Sequence, residues 1–253
     1  LNSDLGESFG AWHMGNDQAM LGIVKSANIA CGFHGGDPTV MRETVRLAKA
    51  NGVSIGAHPS FPDLQGFGRR QMKMSPAEIE ALIAYQTGAL MGIAAAEGVR
   101  VTHVKPHGAL SNMASVEPEL AAAIARAIKA VDPQLIFLVT AQSQMSRAGR
   151  KLALNVAEEV FADRTYGDDG NLTPRSQPHA MIHDAAQSLS HVRRMVEEQA
   201  IFSLSGKKIA TPIDSICVHG DEPTAVAVAQ SVRDGLSAAQ IRLLPLPEVM
   251  AAK

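Results

Sequence analysis

Short β-type apolar runs alternate along the chain with longer segments of helical periodicity, the order that builds a parallel α/β sheet. The runs that predict strands span residues 2–6, 27–33, 53–58, 101–107, 135–140, 155–162 and 215–219. Punctuation marks the helices between them. Asp37 is placed to cap a helix that has Pro38 at its first position and Gly52 past its end. Ser75-Pro76-Ala77-Glu78 reads as a capping box, and Gly98 closes that helix. Further helices are expected over 115–131 and 184–200, and over 223–236 with Asp221 as cap and Gly235 near the end. Two long loops, 59–74 and 167–178, have the length of covers or binding loops.

Period two carries the strongest inference, because successive strand side chains point to opposite faces. Asn28, Ala30, Gly32 and His34 share a face of the second strand, and Ser54, Gly56 and His58 a face of the third. His103, Lys105 and His107 share a face of the fourth; Ser215, Cys217, His219 and Asp221 share one in the last. Residues Asn155, Ala157 and Glu159 oppose Val156, Glu158 and Val160 less cleanly. A parallel sheet covered on both sides by helices is apolar on both faces. One polar face therefore predicts a closed α/β barrel, with helices outside and polar groups inside near the C-terminal mouth, where such barrels keep their sites. Strand ends bring His34, His58, His107, Glu159 and Asp221 to that mouth. The first strand adds Asp4, with Glu7 just past it.

The 253 residues match the ~250 that one such barrel needs, so residues 1–253 are read as a single domain. With 23 basic and 25 acidic side chains there is no basic excess for nucleic acid or an anionic membrane, and neither partner is expected. No uninterrupted apolar run approaches the ~18 residues of a membrane span. The chain opens without a signal peptide, and its start inside a strand without Met implies that a few residues precede it. Two cysteines, Cys31 and Cys217, make no disulfide scaffold and fit a reducing cytoplasm.

Single histidines are more often structural than catalytic; their coincidence at one barrel end is what raises a functional reading. Lys105 is sharper. A mid-strand lysine inside a barrel cannot snorkel to water, so it needs a carboxylate or an anionic ligand. The plain alternative is a structural ion pair with Asp4 or Glu159. His179 and His183 have metal-capable i,i+4 spacing, yet without an acidic companion they are expected at the surface. There is no GxxxxGK[ST] phosphate loop, no GxGxxG after a strand and no GxSxG elbow. The glycine-rich stretch 31–37 runs into a helix N-terminus able to hold an anion, although a tight turn explains it equally simply.

Several long motifs are recognisable. Asn2-Ser3-Asp4-Leu5-Gly6-Glu7-Ser8-Phe9-Gly10 and Ser26-Ala27-Asn28-Ile29-Ala30-Cys31-Gly32-Phe33-His34-Gly35-Gly36-Asp37-Pro38 resemble the LamB/YcsF family. So do Gly56-Ala57-His58-Pro59-Ser60, Lys105-Pro106-His107-Gly108-Ala109-Leu110, Glu159-Val160-Phe161-Ala162-Asp163-Arg164, Leu172-Thr173-Pro174-Arg175 and Val218-His219-Gly220-Asp221. The resemblance runs in order over nearly the whole chain. It implies a seven-stranded, distorted, TIM-like β/α barrel of the glycoside hydrolase/deacetylase type. It also implies ATP-dependent opening of the 5-oxoproline (pyroglutamate) lactam to L-glutamate, as the A component of a 5-oxoprolinase with two partner subunits of B and C type.

On this reading Asp4, Glu7, His58, Lys105, His107 and Asp221 form the catalytic set. Asn28, His34, Glu159, Arg164, Arg175 and His219 are the expected substrate contacts. ATP is the expected co-substrate, bound here or shared with a partner, and the residues leave a divalent metal open. Two other classes stay in view: a free-standing metal-dependent deacetylase-like hydrolase using Asp4 with His34, His58 or His107, and a non-catalytic binding subunit. Loop 167–178 is expected to cover the mouth and carry Arg175 to it. Loop 59–74, with Phe61, Phe67, Arg69 and Arg70, is either a partner-docking surface or a lid packed on its own barrel.

Overall fold

The computed structural model describes residues 1–220 and 224–253. Its strands are β1 (Asn2–Leu5), β2 (Ser26–Ala30), β3 (Ser54–His58), β4 (Val101–Val104), β5 (Ile136–Thr140), β6 (Asn155–Phe161), β7 (Ala200–Phe202), β8 (Lys208–Ala210) and β9 (Ser215–Cys217). Seven of them close a parallel barrel in the order β1-β2-β3-β4-β5-β6-β9, and β9 returns to β1 with Cys217 beside Asn2. This is the expected TIM-like architecture. The inward parity also holds. Asn28, His103, Lys105 and Glu159 meet inside, whereas Glu158 turns outward to Ser146, Arg150 and Thr211.

The helices are α1 (Asp17–Leu21), α2 (Pro38–Ala50), α3 (Pro76–Ala96), α4 (Gly108–Val116), α5 (Pro118–Val131), α6 (Gln144–Lys151), α7 (Ala185–Glu198), α8 (Ala225–Ala238) and α9 (Leu246–Ala251). Asp37 caps α2 by accepting from the N–H groups of Thr39 and Val40, and the capping box of Ser75 and Glu78 opens α3. α3 buries Ile79, Leu82, Ile83, Leu90 and Ala94 as it packs on α5, β3 and β4. By length and composition alone α3 is apolar enough to cross a membrane. Counting uninterrupted apolar runs misses this, because Glu80, Tyr85, Gln86 and Thr87 break the run.

Two local expectations are corrected. The helix expected over 115–131 is two, because Pro118 has no N–H to continue α4 and Glu117 is extended. The fourth strand ends at Val104, since Pro106 cannot donate to a ladder. The chain nevertheless stays beside β3, with the Lys105 N–H donating to the Ala57 carbonyl and that of His107 to Pro59, so both side chains remain at the barrel interior. The antiparallel β7–β8 hairpin was not foreseen; three-residue strands give too little alternation to read. Gly235 lies inside α8, and the expected cap Asp221 and start Pro223 lie outside the described residues.

Loop 59–74 packs on its own barrel. Phe61 and Asp63 are buried, and Asp63 accepts from the backbone N–H of Gly66 and Arg70 and pairs with the Arg70 guanidinium. Inside the barrel one glycine is obligatory for space. A Cβ on Gly56 would stand 2.1 Å from the His103 ring, which crosses β3 to reach Asn28.

Candidate active site

Opposed charges build the floor of the barrel mouth. Lys105 Nζ lies 2.8 Å from Asp4 Oδ1, 3.3 Å from Glu159 Oε2 and 3.1 Å from Cys217 Sγ. Asn28 donates to Asp4 Oδ1 at 2.8 Å, and its own carbonyl accepts from His103 Nε2 at 3.0 Å. Asn2 links Glu159 to Asn28. Burial alone would lift the Asp4 carboxyl, but His58 and Lys105 outweigh it and hold Asp4 well below the usual carboxylate range. Burial would likewise neutralise Lys105, and Asp4, Cys217 and Glu159 together hold it charged. Glu159 is pushed up by burial against the pull of Lys105. Burial and the Lys105 charge depress His103 to about 3, so it is a neutral donor to Asn28.

A histidine cluster stands beside the floor. His58 Nδ1 donates to the Lys105 carbonyl at 2.6 Å, and His107 Nε2 donates to the Phe67 carbonyl at 2.8 Å. The other ring nitrogens of these two residues face each other at 2.9 Å. Glu7 Oε1 is 3.0 Å from His34 Nε2 and 3.5 Å from His107 Nδ1. His34 stacks on His107 with centroids 3.8 Å apart, under the Phe67 ring. Burial, reinforced by the neighbouring histidines, lowers His34 and His107 well below the ordinary imidazole value.

The opposite wall comes from the segment after β6 and the end of β9. His219 Nδ1 lies 2.7 Å from Asp163 Oδ2, an orienting pair of the kind used in general acid–base chemistry. Burial would raise Asp163, but His219 holds it below its usual range. Arg164 donates to the Thr173 carbonyl at 2.7 Å, and burial with the nearby Arg175 charge lowers it to about 10. Asp163 Oδ1 and Arg164 Nε are buried with no hydrogen-bond partner among the described residues.

Between the walls lies a cavity of about 630 Å³. Asp4, His58, Lys105, His107, Arg164, Arg175 and His219 line it, so seven expected site residues converge. Loop 167–178 does bring Arg175 over the mouth, with Asn171, Leu172, Pro174 and Ser176. Glu7, Asn28, His34 and Glu159 lie one layer beneath the wall, which corrects the expectation of direct contact. Asn28 is consumed by Asn2, Asp4 and His103, and Glu159 by Lys105 and Asn2. Glu7 and His34 face each other behind His107. Asp221 lies outside the described residues. His179 and His183 are exposed and neither is helical, so their spacing places them on no common face. Reasoning from sequence missed Asp163 as a site residue. Its place two residues past the end of β6 was the available signal.

A sequence model of the LamB/YcsF family matches residues 1–251. The chain belongs to the LamB/YcsF family. A relative in this family, named as the A subunit of 5-oxoprolinase, from Azoarcus sp. (strain BH72), is 57% identical over 249 residues, covering 98% of this chain and 97% of the relative. The crystal structure of a lactam utilization protein from Thermus thermophilus superposes with a TM-score of 0.91 at 46% identity, over 96% of this chain and 98% of that one. A structure described as T48 deacetylase with substrate matches at a TM-score of 0.51 and 15% identity, over 100% of this chain and 89% of that one; this likeness concerns the fold alone.

Proposed function

We propose that this chain houses the lactam-opening site of an ATP-dependent 5-oxoprolinase and works as its A component with two further subunits of B and C type. The observation that carries this reading is the charge of the cavity. Among the described residues, Arg164 and Arg175 line it opposite the Lys105–Asp4 pair, and no lining carboxylate besides Asp4 offsets them. Such a surplus suits a small anion, and 5-oxoproline is an anionic cyclic amide. Arg164 Nε, without a partner among the described residues, and the adjacent Arg175 suit its carboxylate, or a phosphate group beside it. The names of the relative from Azoarcus and the protein from Thermus thermophilus support the same substrate class.

The chemistry follows from what each wall offers. Asp4, held ionised by Lys105, is the base nearest the cavity floor and takes a proton from water. His219, oriented by Asp163, gives a proton to the departing ring nitrogen. A lactam is a poor electrophile, so ATP supplies the driving force. The terminal phosphoryl group of ATP goes to the lactam oxygen with release of ADP, and water adds to the activated carbon. The ring nitrogen departs, and a second water cleaves the resulting acyl phosphate to the carboxylate and phosphate. No phosphate-binding loop of the GxxxxGK[ST] type occurs in the sequence, so ATP is held by a different geometry here or at a site shared with a partner.

Reconstitution tests this directly. Glutamate release from 5-oxoproline and ATP is measured for the chain alone, the partners alone and the mixture. The mixture is expected to turn over and the single chain not. Asp4→Asn in the mixture is expected to abolish release while 5-oxoproline binding survives. Robust turnover by the chain alone overturns the dependence on partners; unchanged turnover by Asp4→Asn overturns the assignment of the base and favours a binding subunit.

A further inference from the structure

The geometry of the histidine cluster points to a metal. His58 Nδ1 and His107 Nε2 each face a backbone carbonyl, of Lys105 at 2.6 Å and of Phe67 at 2.8 Å. A carbonyl only accepts, so both of these nitrogens carry hydrogen. When no proton sits between them, the remaining nitrogens, His58 Nε2 and His107 Nδ1, both present lone pairs. They point at one another across 2.9 Å. Two lone pairs at that distance repel, and a shared cation, a proton or a metal ion, removes the conflict. Glu7 Oε1 stands 3.5 Å from the same His107 nitrogen, and Asp4 Oδ2 stands 3.4 Å from the same His58 nitrogen. Negative charge thus flanks the place where the lone pairs converge.

We propose that Glu7, His58 and His107 bind a divalent transition-metal ion of the zinc class at the edge of the cavity. Two imidazoles and a carboxylate are a donor set that such ions favour. Metal–ligand bonds of roughly 2.0–2.1 Å in a tetrahedron put donor atoms about 3.3 Å apart. The separations of 2.9 and 3.5 Å bracket that value. The candidate donor atoms of Glu7, His34, His58 and His107 all lie within 4.8 Å of one another. The carbonyl partners of His58 and His107 are also what liganding histidines have, because a fixed N–H sets the tautomer and aims the other nitrogen. His34 plays a different part. Its ring is parallel to that of His107, at 8° and 3.8 Å, so the two cannot aim at one point. Its Nε2 donates to Glu7 Oε1 at 3.0 Å, which makes it a positioning residue for the carboxylate. The inference is independent of the proposed reaction.

Cobalt(II) is the probe, because its visible absorption reports ligand type and geometry. The full chain is stripped with a chelator and titrated with Co(II), and separately with Zn(II) in a thermal melt. The expected result is one equivalent bound, visible d–d bands, and a rise in melting temperature with zinc. His107→Gln and Glu7→Gln are expected to remove the bands, and His34→Gln to weaken cobalt binding about 10–100-fold. His183→Ala, at the surface, is expected to change nothing. Absence of saturable cobalt binding to the wild-type chain overturns the proposal. So does binding that survives His107→Gln. An intense sulfur-to-cobalt charge-transfer band also overturns it, by moving the ion to Cys217 with Asp4 and His219, the other group of suitable donors among the described residues. If a variant fails to fold, the wild-type spectrum and His58→Ala decide the matter.

Discussion

On the barrel floor, Asn2, Asp4, Asn28, His103, Lys105 and Glu159 leave no buried side-chain polar atom without a partner. Across the cavity, Asp163 Oδ1 and Arg164 Nε are buried and have no hydrogen-bond partner among the described residues. The floor residues sit on strands or next to them and are held by register. The Asp163–Arg164 wall sits past the strand ends; its side chains reach His219 and Thr173, and its backbone is tied to Met181 and Ile182. A saturated buried network is stiff and positions its members; an unsatisfied buried group costs about 1–3 kcal/mol and persists where a ligand completes it. The floor is therefore a frame that fixes Asp4, and the far wall is, among the described residues, the less constrained surface.

The comparison breaks most easily at Lys105. Removing it leaves two buried carboxylates facing each other, so Lys105→Ala is expected to cost about 3–5 kcal/mol, a melting-temperature drop of roughly 6–20 °C for a chain of this size. Its loss of activity then accompanies a loss of fold, and an unshifted melt would show that the floor is no frame. Gly56→Ala is the next largest. The added methyl meets the His103 ring and is expected to cost about 1–3 kcal/mol, read as a lower urea midpoint. A neutral result would mean that His103 moves freely and the network is looser than its hydrogen bonds imply.

The far wall should respond more weakly. Asp163 has its folded pKa depressed by His219, so its contribution is fully present above the unfolded carboxyl value of about 3.9 and is lost as pH falls through the folded value. As pH is lowered from about 5 to about 3, Asp163→Asn should therefore lose less urea resistance than wild type; equal losses would remove the pair from the stability account. Arg175→Ala is the smallest change in stability, within about 0.5 kcal/mol, because the side chain is exposed. In the reconstituted enzyme it should instead raise KM for 5-oxoproline about tenfold or more with kcat little altered, as loss of a charge-assisted contact does. A kcat loss at constant KM would move Arg175 from binding to chemistry.

Much of the frame is legible in the sequence. Period two put Asn28, His58, His103, Lys105 and Glu159 inside, and the caps at Asp37 and Ser75 marked helix starts. Lys105 was posed as either an ion pair or an anion site, and the structure shows it paired with both Asp4 and Glu159 while still lining the cavity. Loop 59–74 was equally open between partner docking and a lid. Buried Phe61 and the ring of Phe67 over His34 and His107 settle its packing. What stayed illegible was depth. Parity states that Asn28, His34 and Glu159 face inward, yet not that they lie beneath the cavity wall.

The sequence by itself determined the alternation of strands and helices, the inward face of each strand, the main helix starts and, through its long motifs, the family. These are local properties, written in spacings of two to four residues or in contiguous motifs. Only the tertiary structure decided which inward residues meet. Closure of β9 on β1 sets the height of Lys105 against Asp4, and the 2.9 Å approach of His58 and His107 depends on how two neighbouring chain segments pass beyond their strands. So does the pairing of Asp163 with His219, 56 residues apart. Register between distant strands is a collective result of packing the whole barrel, and no short window of sequence contains it.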